Sequence, residues 1–449
     1  MWTKINNIAL SDKVFKESFM VWYHFCSFDA DKPTCCMKHL FRFLFFFVVL
    51  HTSAQEWVLP PDYIKTIQLR SSGKANFAPI FPLNGSFELS FDDLEADEKD
   101  YYYKIEHCDR FWKPSDLITT EFVAGYAEEQ LYDYDNSFNT LQFYTHYRIQ
   151  FPNANTRLLL SGNYRISILD EDENIIFTRY FTLYESLTTV GVSVHRSRDV
   201  AYINTQQSVQ FSINHPGFLI NNPTEEIHPV ILQNNDYATA VTGLQPQFIR
   251  GDQLLYKYDA ETAFWGGNEF LNFDTKEIRL SNMNVASVVS GKDLYHSYLY
   301  SDKIRAYDPY TYYPDADGAF VIRNATSNNA ALEADYSWVH FTLQVAEPFD
   351  HKAVYVYGRF NNYQLTDENK MTYHPETHAY EVAILLKQGF YNYTYATLDD
   401  KNVMNLTEIN GSFEETENEY SVLVYYSKFG STYDRVIGYG KGNSKNLQQ

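Results

Sequence analysis

The sequence predicts an all-β protein built from tandem β-sandwiches, and three observations support this fold class. Apolar and polar residues alternate with a period of two along many short segments. Of the 449 residues, 38 are Tyr and 33 are Phe, and such side chains pack well on pleated sheets. Finally, the segments are punctuated by Gly, Asn, Asp and Pro, and none has the sustained 3.6-residue period of a long amphipathic helix. Short strands at close spacing are typical of stacked β-sandwiches.

The clearest strands lie in the first third of the chain. Residues 101–107 place two Tyr, one Ile and one His on a single face, and residues 143–151 alternate in the same way. Residues 163–183 predict a hairpin that turns at residues 170–174, where the sequence is DEDEN. Further runs rich in aromatic and β-branched residues occur at 354–357, 380–386, 391–395 and 421–426.

Residues 37–55 have the layout of a secretory signal peptide. Lys38 and Arg42 form a basic start, residues 43–50 are apolar, and small residues lead to Ala54. We therefore expect cleavage between Ala54 and Gln55, export to the periplasm, and a true start at Met37. The apolar stretch is shorter than the roughly 20 residues that span a bilayer, which argues against a membrane anchor.

The length of the chain suggests about three domains. We read residues 323–334, which are polar and lack periodicity, as a linker, and the glycine-rich sequence at 438–442 as the start of a flexible terminus. The expected division is an upstream extension at 1–36, the signal peptide at 37–54, an N-terminal β-sandwich at 55–185, a middle β-rich domain at 186–330, a C-terminal immunoglobulin-like β-sandwich at 335–440 and a disordered tail at 441–449.

Composition and motifs exclude several functions. The formal net charge of −21 provides no basis for binding nucleic acid or an anionic lipid surface, and we expect no membrane insertion. No HExxH, GxSxG, Walker or CxxC motif occurs, so we predict no catalytic residue, metal or cofactor. His107, Cys108 and Asp109 are adjacent, but neighbouring strand residues face opposite sides. The acidic run at 92–100 reads as a solvated loop between strands.

One aromatic segment stands out as a candidate contact with a partner. Phe264 and Trp265 are followed by Gly266 and Gly267, which predicts a tight loop beside large aromatic side chains. Such a loop either presents Trp265 to a partner or buries it, and the sequence leaves both readings open. We take Phe264 and Trp265 as candidate partner-contacting residues.

Several long stretches resemble the plug protein family of the type IX secretion system. They are YKIEHCDRFWKPSDL at 103–117, SFNTLQFYTHYRIQFPN at 137–153, LSGNYRI at 160–166, FWGGNEFLNFDTKEIR at 264–279 and MTYHPETHAYEVAILLKQGFYNYTYA at 371–396. The resemblance implies a non-enzymatic periplasmic protein, peripheral to the outer membrane, that closes the periplasmic opening of an outer-membrane β-barrel translocon. It implies no catalytic residue, no cofactor and no small-molecule substrate.

A shorter resemblance suggests an alternative function. VYVYGRFNNY at 354–363 is similar to the immunoglobulin-like glycogen-binding modules of starch enzymes, although Tyr363 stands where those modules usually have Trp. Phe360 and Tyr363 are the candidate carbohydrate-stacking residues. The alternative is therefore a secreted or periplasmic glucan-binding protein, and the competing reading is a simple turn within a sandwich.

Overall fold

Pairs of β-sheets enclose three separate apolar cores in this protein, which confirms the predicted all-β, tandem-sandwich fold class. The structure is a computed structural model that describes residues 57–72 and 78–446. The predicted extension at 1–36, the signal peptide at 37–54 and the cleavage site between Ala54 and Gln55 lie outside the described residues.

The first unit packs two sheets around an aromatic core. Its strands are β1 Ile64–Ser71, β2 Ile80–Pro82, β3 Phe87–Asp93, β4 Tyr102–Cys108, β5 Val123–Gly125, β6 Glu128–Gln130, β7 Tyr134–Asn136, β8 Thr145–Phe151, β9 Thr156–Leu158, β10 Gly162–Leu169 and β11 Ile175–Tyr184, with a helical turn α1 at Thr119–Phe122. One sheet has the order β1-β3-β8-β7 and the other β2-β11-β10-β4-β6.

The sequence pattern of this unit is confirmed at two places. Tyr103 and Ile105 on β4 point into the core and are 0% and 2% exposed. Strands β10 and β11 form the predicted antiparallel hairpin, in which Tyr164 lies opposite Phe181. Their rings stack at a centroid distance of 5.3 Å. Period-two patterning therefore identifies both the strands and their buried face.

The second unit begins with β12 Thr189–Arg196, β13 Gln206–Asn214, α2 Pro223–Glu226, β14 Ile227–Gln233, β15 Asp236–Val241, β16 Phe248–Arg250, β17 Gln253–Tyr256 and β18 Ala263–Trp265. One of its sheets has the order β12-β13-β17-β16, and β18 also pairs with β13.

The third unit contains β19 Leu271–Asp274, β20 Val285–Ser290, β21 Tyr295–Leu299, β22 Asp302–Lys303, β23 Phe320–Ile322, α3 Ala330–Glu333, β24 Tyr336–Gln344, β25 Lys352–Tyr357, a 3₁₀ turn Arg359–Asn361, β26 Thr372–His374, β27 Ala379–Lys387, β28 Gly389–Asp399, β29 Met404–Asn405 and α4 Thr407–Asn410. One sheet has the order β20-β21-β24-β27-β26, and the other is built on β28.

The chain then returns to the second unit. Strand β30 (Glu419–Tyr426) pairs with β14, placing Val422 opposite Ile231, and β31 (Arg435–Asn443) pairs with β30. A 3₁₀ turn follows at Ser444–Asn446. The third unit is thus inserted within the second. The predicted boundaries of 186–330 and 335–440 are wrong in this respect, because the strands after residue 418 complete the middle sandwich.

The predicted disordered tail at 441–449 also needs correction, because β31 extends through Asn443. A Cβ on Gly438, Gly440 or Gly442 would lie within 3 Å of Thr188, Val190 or Val192. The alternating glycines therefore let β31 pack directly on β12 and the residue before it. What the sequence presents as a flexible terminus is a close-packed strand.

The predicted linker at 323–334 lies inside the third unit, between β23 and β24. Its second half contacts the first unit, where the Tyr144 hydroxyl donates hydrogen bonds to the carbonyls of Ala331 and Ala334. The segment therefore forms part of an interface between units and does not act as a linker between domains.

Candidate partner-binding surface

A buried ion pair joins the first unit to the third. Lys387 at the end of β27 lies 2.7 Å from Asp92 on β3 (Nζ to Oδ2), and both side chains are at most 1% exposed. The Asp92 carboxylate also accepts a hydrogen bond from the Tyr336 hydroxyl, and its Oδ1 lies 2.6 Å from Nδ1 of His146. The Lys387 ammonium lies 3.9 Å from the centroid of the Tyr144 ring, where a cation is attracted to the π face.

Each member of this pair stabilises the charged form of the other. Burial favours a raised pKa for Asp92, but the Lys387 ammonium and the His146 ring hold it below its ordinary value. Burial lowers the pKa of Lys387, and the carboxylate opposes that shift. Removing either partner would leave an uncompensated charge in the interface.

These residues correct the expectation of a solvated acidic loop at 92–100. Asp92 and Asp93 belong to β3 and are fully buried. Asp93 accepts a hydrogen bond from the Tyr101 hydroxyl at 2.9 Å and pairs with Lys99 at 2.9 Å. The exposed part of the run begins only after β3. The sequence signal for this ion pair is Lys387 directly after the apolar run at 382–386, together with two Asp at the end of β3.

The first and second units meet through an apolar layer with polar bonds inside it. Leu232, Leu423 and Val436 from the second unit pack with Ile80 of the first. Within the same interface, the Tyr425 hydroxyl donates to Oδ1 of Asn163 at 2.8 Å. At its edge, Arg435 makes hydrogen bonds to both carboxylate oxygens of Glu185.

Hydrogen bonds also join the second and third units. The Tyr357 hydroxyl on β25 donates to Oδ2 of Asp236 on β15 at 2.7 Å. Arg359 donates to the backbone carbonyl of Asn234 at 2.9 Å. Each unit therefore contacts both others through buried polar bonds, and the three interfaces close a ring. Relative movement of any two units would have to break contacts with the third.

Trp265 lies at the surface of the second unit, where β18 ends. Its side chain is 48% exposed and meets the Tyr202 ring edge-on at 5.7 Å. Gly266 follows because a Cβ there would lie 2.0 Å from the Phe413 carbonyl oxygen. The returning chain thus passes directly over the glycine and leaves Trp265 half exposed. Trp265 remains a candidate contact.

The other predicted contact, Phe264, is corrected by the structure. It is 4% exposed and packs in the core of the second unit, with its ring 5.2 Å from that of Tyr420. Successive residues of β18 point to opposite faces, so only one of the two aromatics can face solvent. Phe264 anchors the strand.

The candidate sugar-stacking pair is also turned inward. Phe360 packs edge-on against Tyr391 at 6.0 Å. The Tyr363 ring lies 5.2 Å from that of Tyr357, and its hydroxyl donates to the carbonyl of Asp317 at 3.3 Å. Both side chains are partly buried. These contacts support the reading of a turn within the sandwich and do not favour glucan binding.

The adjacent His107, Cys108 and Asp109 form no nucleophilic site. Burial lowers the pKa of His107 to about 4 and raises the pKa of the Cys108 thiol to about 12. Cys108 is 0% exposed. Asp109 accepts the backbone N–H groups of Phe111 and Lys113 and so stabilises the turn after β4. A buried neutral thiol is a structural residue.

Acidic side chains meet where the chain crosses between the second and third units. Oε1 of the buried Glu269 accepts hydrogen bonds from the Tyr310 hydroxyl and from the backbone N–H of Glu417. Burial raises the pKa of Asp315 and of Asp317 to about 7. Beside them is an open cleft of about 410 Å³, lined by Tyr310, Tyr312, Glu415, Glu417, Ser444 and Lys445.

Two further observations concern residues 57–72 and 78–446. Within these ranges, no group of three or more His, Cys, Asp or Glu side chains is placed to hold a metal ion. In the same ranges, no helix has the length and apolar character needed to cross a membrane.

Comparisons with known proteins place the chain in a family. A family model described as the type 9 secretion system plug protein first domain matches residues 64–185, which span β1 to β11. The chain belongs to the type IX secretion system plug protein family. It is also 34% identical to a hypothetical protein from Parabacteroides merdae, whose crystal structure aligns with a TM-score of 0.83 over 86% of this chain and 98% of that one.

Other comparisons add little. The BSP domain of a biofilm-associated protein aligns with 88% of this chain and 61% of its own, but at 7% identity and a TM-score of 0.17, so it carries no argument. No curated protein matches the sequence. Membership of the plug family associates the chain with type IX secretion.

Proposed function

We propose that this protein is a non-enzymatic periplasmic component of the type IX secretion system, which docks on the outer-membrane β-barrel translocon and occludes its periplasmic opening. The observation that carries this proposal is the closed ring of three interfaces, in which Asp92–Lys387, Asn163–Tyr425 and Asp236–Tyr357 each join a different pair of units. Membership of the plug family supports the translocon as the partner, and the predicted signal peptide supports the compartment.

The mechanism is steric. A protein that occludes a pore must block the passage of polypeptides and solutes, so its parts must not separate. Linked sandwiches with small polar interfaces move relative to one another by default. Here, buried bonds on all three sides oppose such movement. Release then requires dissociation of the whole body from the barrel and not the opening of a hinge within it.

The test is the permeability of the outer membrane in a strain of the host that lacks this gene. We expect the deletion strain to become sensitive to antibiotics too large for ordinary porins, and plasmid-borne unaltered protein to restore resistance. The variant Phe429→Ser alters an exposed side chain on the loop between β30 and β31, and it should restore resistance equally well. Unchanged antibiotic sensitivity in the deletion strain contradicts occlusion.

A further inference from the structure

The loop between β7 and β8 presents large apolar side chains to solvent. We name residues 137–143 the aromatic loop. Within it, Phe138, Leu141 and Phe143 are 70%, 52% and 63% exposed. A single exposed apolar residue is normal, but three within six positions of one loop form a patch of the kind found at binding surfaces.

The backbone of the aromatic loop is fixed to the third unit. The N–H of Phe138 donates to the carbonyl of Leu332 on α3 at 2.9 Å. The N–H groups of Leu141 and Gln142 donate to the two oxygens of the Asp335 carboxylate at 2.7 and 3.1 Å. A loop of the first unit is thus held by residues almost two hundred positions later in the chain.

Further bonds hold the loop to its own unit. The N–H of Ser137 donates to the carbonyl of Tyr144 at 2.8 Å, and the N–H of Tyr144 donates back to the Ser137 hydroxyl at 3.0 Å. The Gln142 side chain donates to the carbonyl of Leu94 at 3.0 Å. Because the loop is ordered before binding, a partner would not have to immobilise it, and preorganised apolar anchors bind more strongly for that reason.

Four carboxylates lie on segments next to the aromatic loop. Asp97, Glu98 and Asp100 are exposed on the neighbouring turn, and Glu98 accepts a hydrogen bond from Asn136, two residues before Phe138. Glu333 directly follows Leu332, whose carbonyl accepts the hydrogen bond from the N–H of Phe138. Across the described parts of the chain, no Lys, Arg or His forms an ion pair with any of these four carboxylates.

We propose that the aromatic loop is the surface by which this protein contacts the translocon, and that it inserts its apolar side chains into an apolar cleft rimmed by Lys and Arg. This inference rests on the proposed function and adds the contact site. Apolar anchors beside exposed charge are typical of a hot spot with a polar rim. These carboxylates favour a partner of opposite charge, because like charges across an interface repel.

The experiment compares variants of the tagged, full-length protein expressed in its host. Each is used to retrieve partners from detergent-solubilised envelopes, and the large outer-membrane barrel protein is identified and quantified by mass spectrometry. Phe138→Ser with Phe143→Ser removes two anchors. The matched control is Phe429→Ser, which removes an aromatic side chain that is 96% exposed on a loop of the second unit. Thermal unfolding of each purified variant checks that folding is unaltered.

We expect the double variant to recover at least tenfold less barrel protein, and the control to stay within twofold of the unaltered protein. A second variant, Asp97→Lys with Glu98→Lys, should also reduce recovery, with the deficit shrinking as salt rises from about 0.05 to 0.5 M.

The outcomes separate the two proposals. If the unaltered protein recovers the barrel and the double variant recovers it equally well, the aromatic loop is not the contact and occlusion still stands. If the unaltered protein recovers no barrel, the proposed function fails and this contact fails with it. Equal losses in the double variant and the Phe429→Ser control also overturn the assignment to this loop.

Discussion

Lys387→Met tests the buried ion pair that joins the first and third units. The substitution keeps an unbranched side chain of similar length in a site that is 1% exposed, but it removes the charge that faces Asp92 at 2.7 Å. Breaking a buried pair by removing one partner costs about 3–5 kcal/mol, because the remaining charge is uncompensated. Asp92 keeps its contacts with His146 and Tyr336, so we expect the lower end of that range, about 3 kcal/mol.

The assay is urea unfolding of the purified protein, followed by tryptophan fluorescence and far-UV circular dichroism. Lys303→Met is the matched control, because Lys303 pairs with Asp308 at 2.9 Å while their side chains are 72% and 45% exposed. An exposed pair contributes little, so the free energy of unfolding should fall by no more than about 0.5 kcal/mol in this control.

A second substitution separates lost charge from lost packing. Asp92→Asn combined with Lys387→Met removes both charges of this pair, and we expect it to be more stable than Lys387→Met alone. If Lys387→Met and Lys303→Met lower the free energy of unfolding equally, the interface does not depend on the buried pair. The rigidity of the three-unit body would then depend on the other two interfaces.

Three further predictions concern other parts of the molecule. Burial raises the pKa of Asp315 to about 7, well above its value in the unfolded chain. Between about pH 4 and 7, the native protein therefore holds a proton that the unfolded chain has released, and the free energy of unfolding should fall as pH rises through this range. Asp315→Asn should make that fall smaller by about 1–2 kcal/mol, measured as the difference between the free energies of urea unfolding at pH 5 and pH 8. The control Asp116→Asn changes an exposed side chain and should leave the difference unaltered. Gly266→Ala should lower the midpoint of thermal unfolding by several degrees, because its Cβ would meet the Phe413 carbonyl at 2.0 Å; an unchanged midpoint would show that the returning chain can shift. Trp265→Ala should reduce recovery of the barrel about tenfold if this half-exposed ring is a second contact, and equal recovery would remove it from the interface.

The sequence predicted the elements whose information is local. Alternation identified the buried face of β4 through Tyr103 and Ile105, and the acidic turn at 170–174 identified the hairpin of β10 and β11. Phe264 and Trp265 differ in exposure because successive residues of β18 face opposite sides, so a strand at this place predicts that only one of the two faces solvent.

The remaining features depend on contacts between distant residues. Nothing near Val422 indicates that it lies opposite Ile231, so the boundary between the second and third units could not be read along the chain. Similarly, Asp92 looked like the start of a solvated loop, because its partner Lys387 is 295 positions away. Long-range pairings decide such cases, and a single sequence contains no periodicity that reports them.

The insertion of the third unit has a consequence for the order in which the parts of this protein can fold. The first and third units are each continuous in sequence, so each can form as its own segment emerges. The middle sandwich cannot, because β14 pairs with β30, which follows the whole inserted unit in the chain. Its closure is therefore the final step, and the same strands then bring Tyr425 and Arg435 onto the first unit. The last strands of the chain therefore complete the middle sandwich and fix it to the first unit in one event, so a chain that lacks them has no rigid three-unit body.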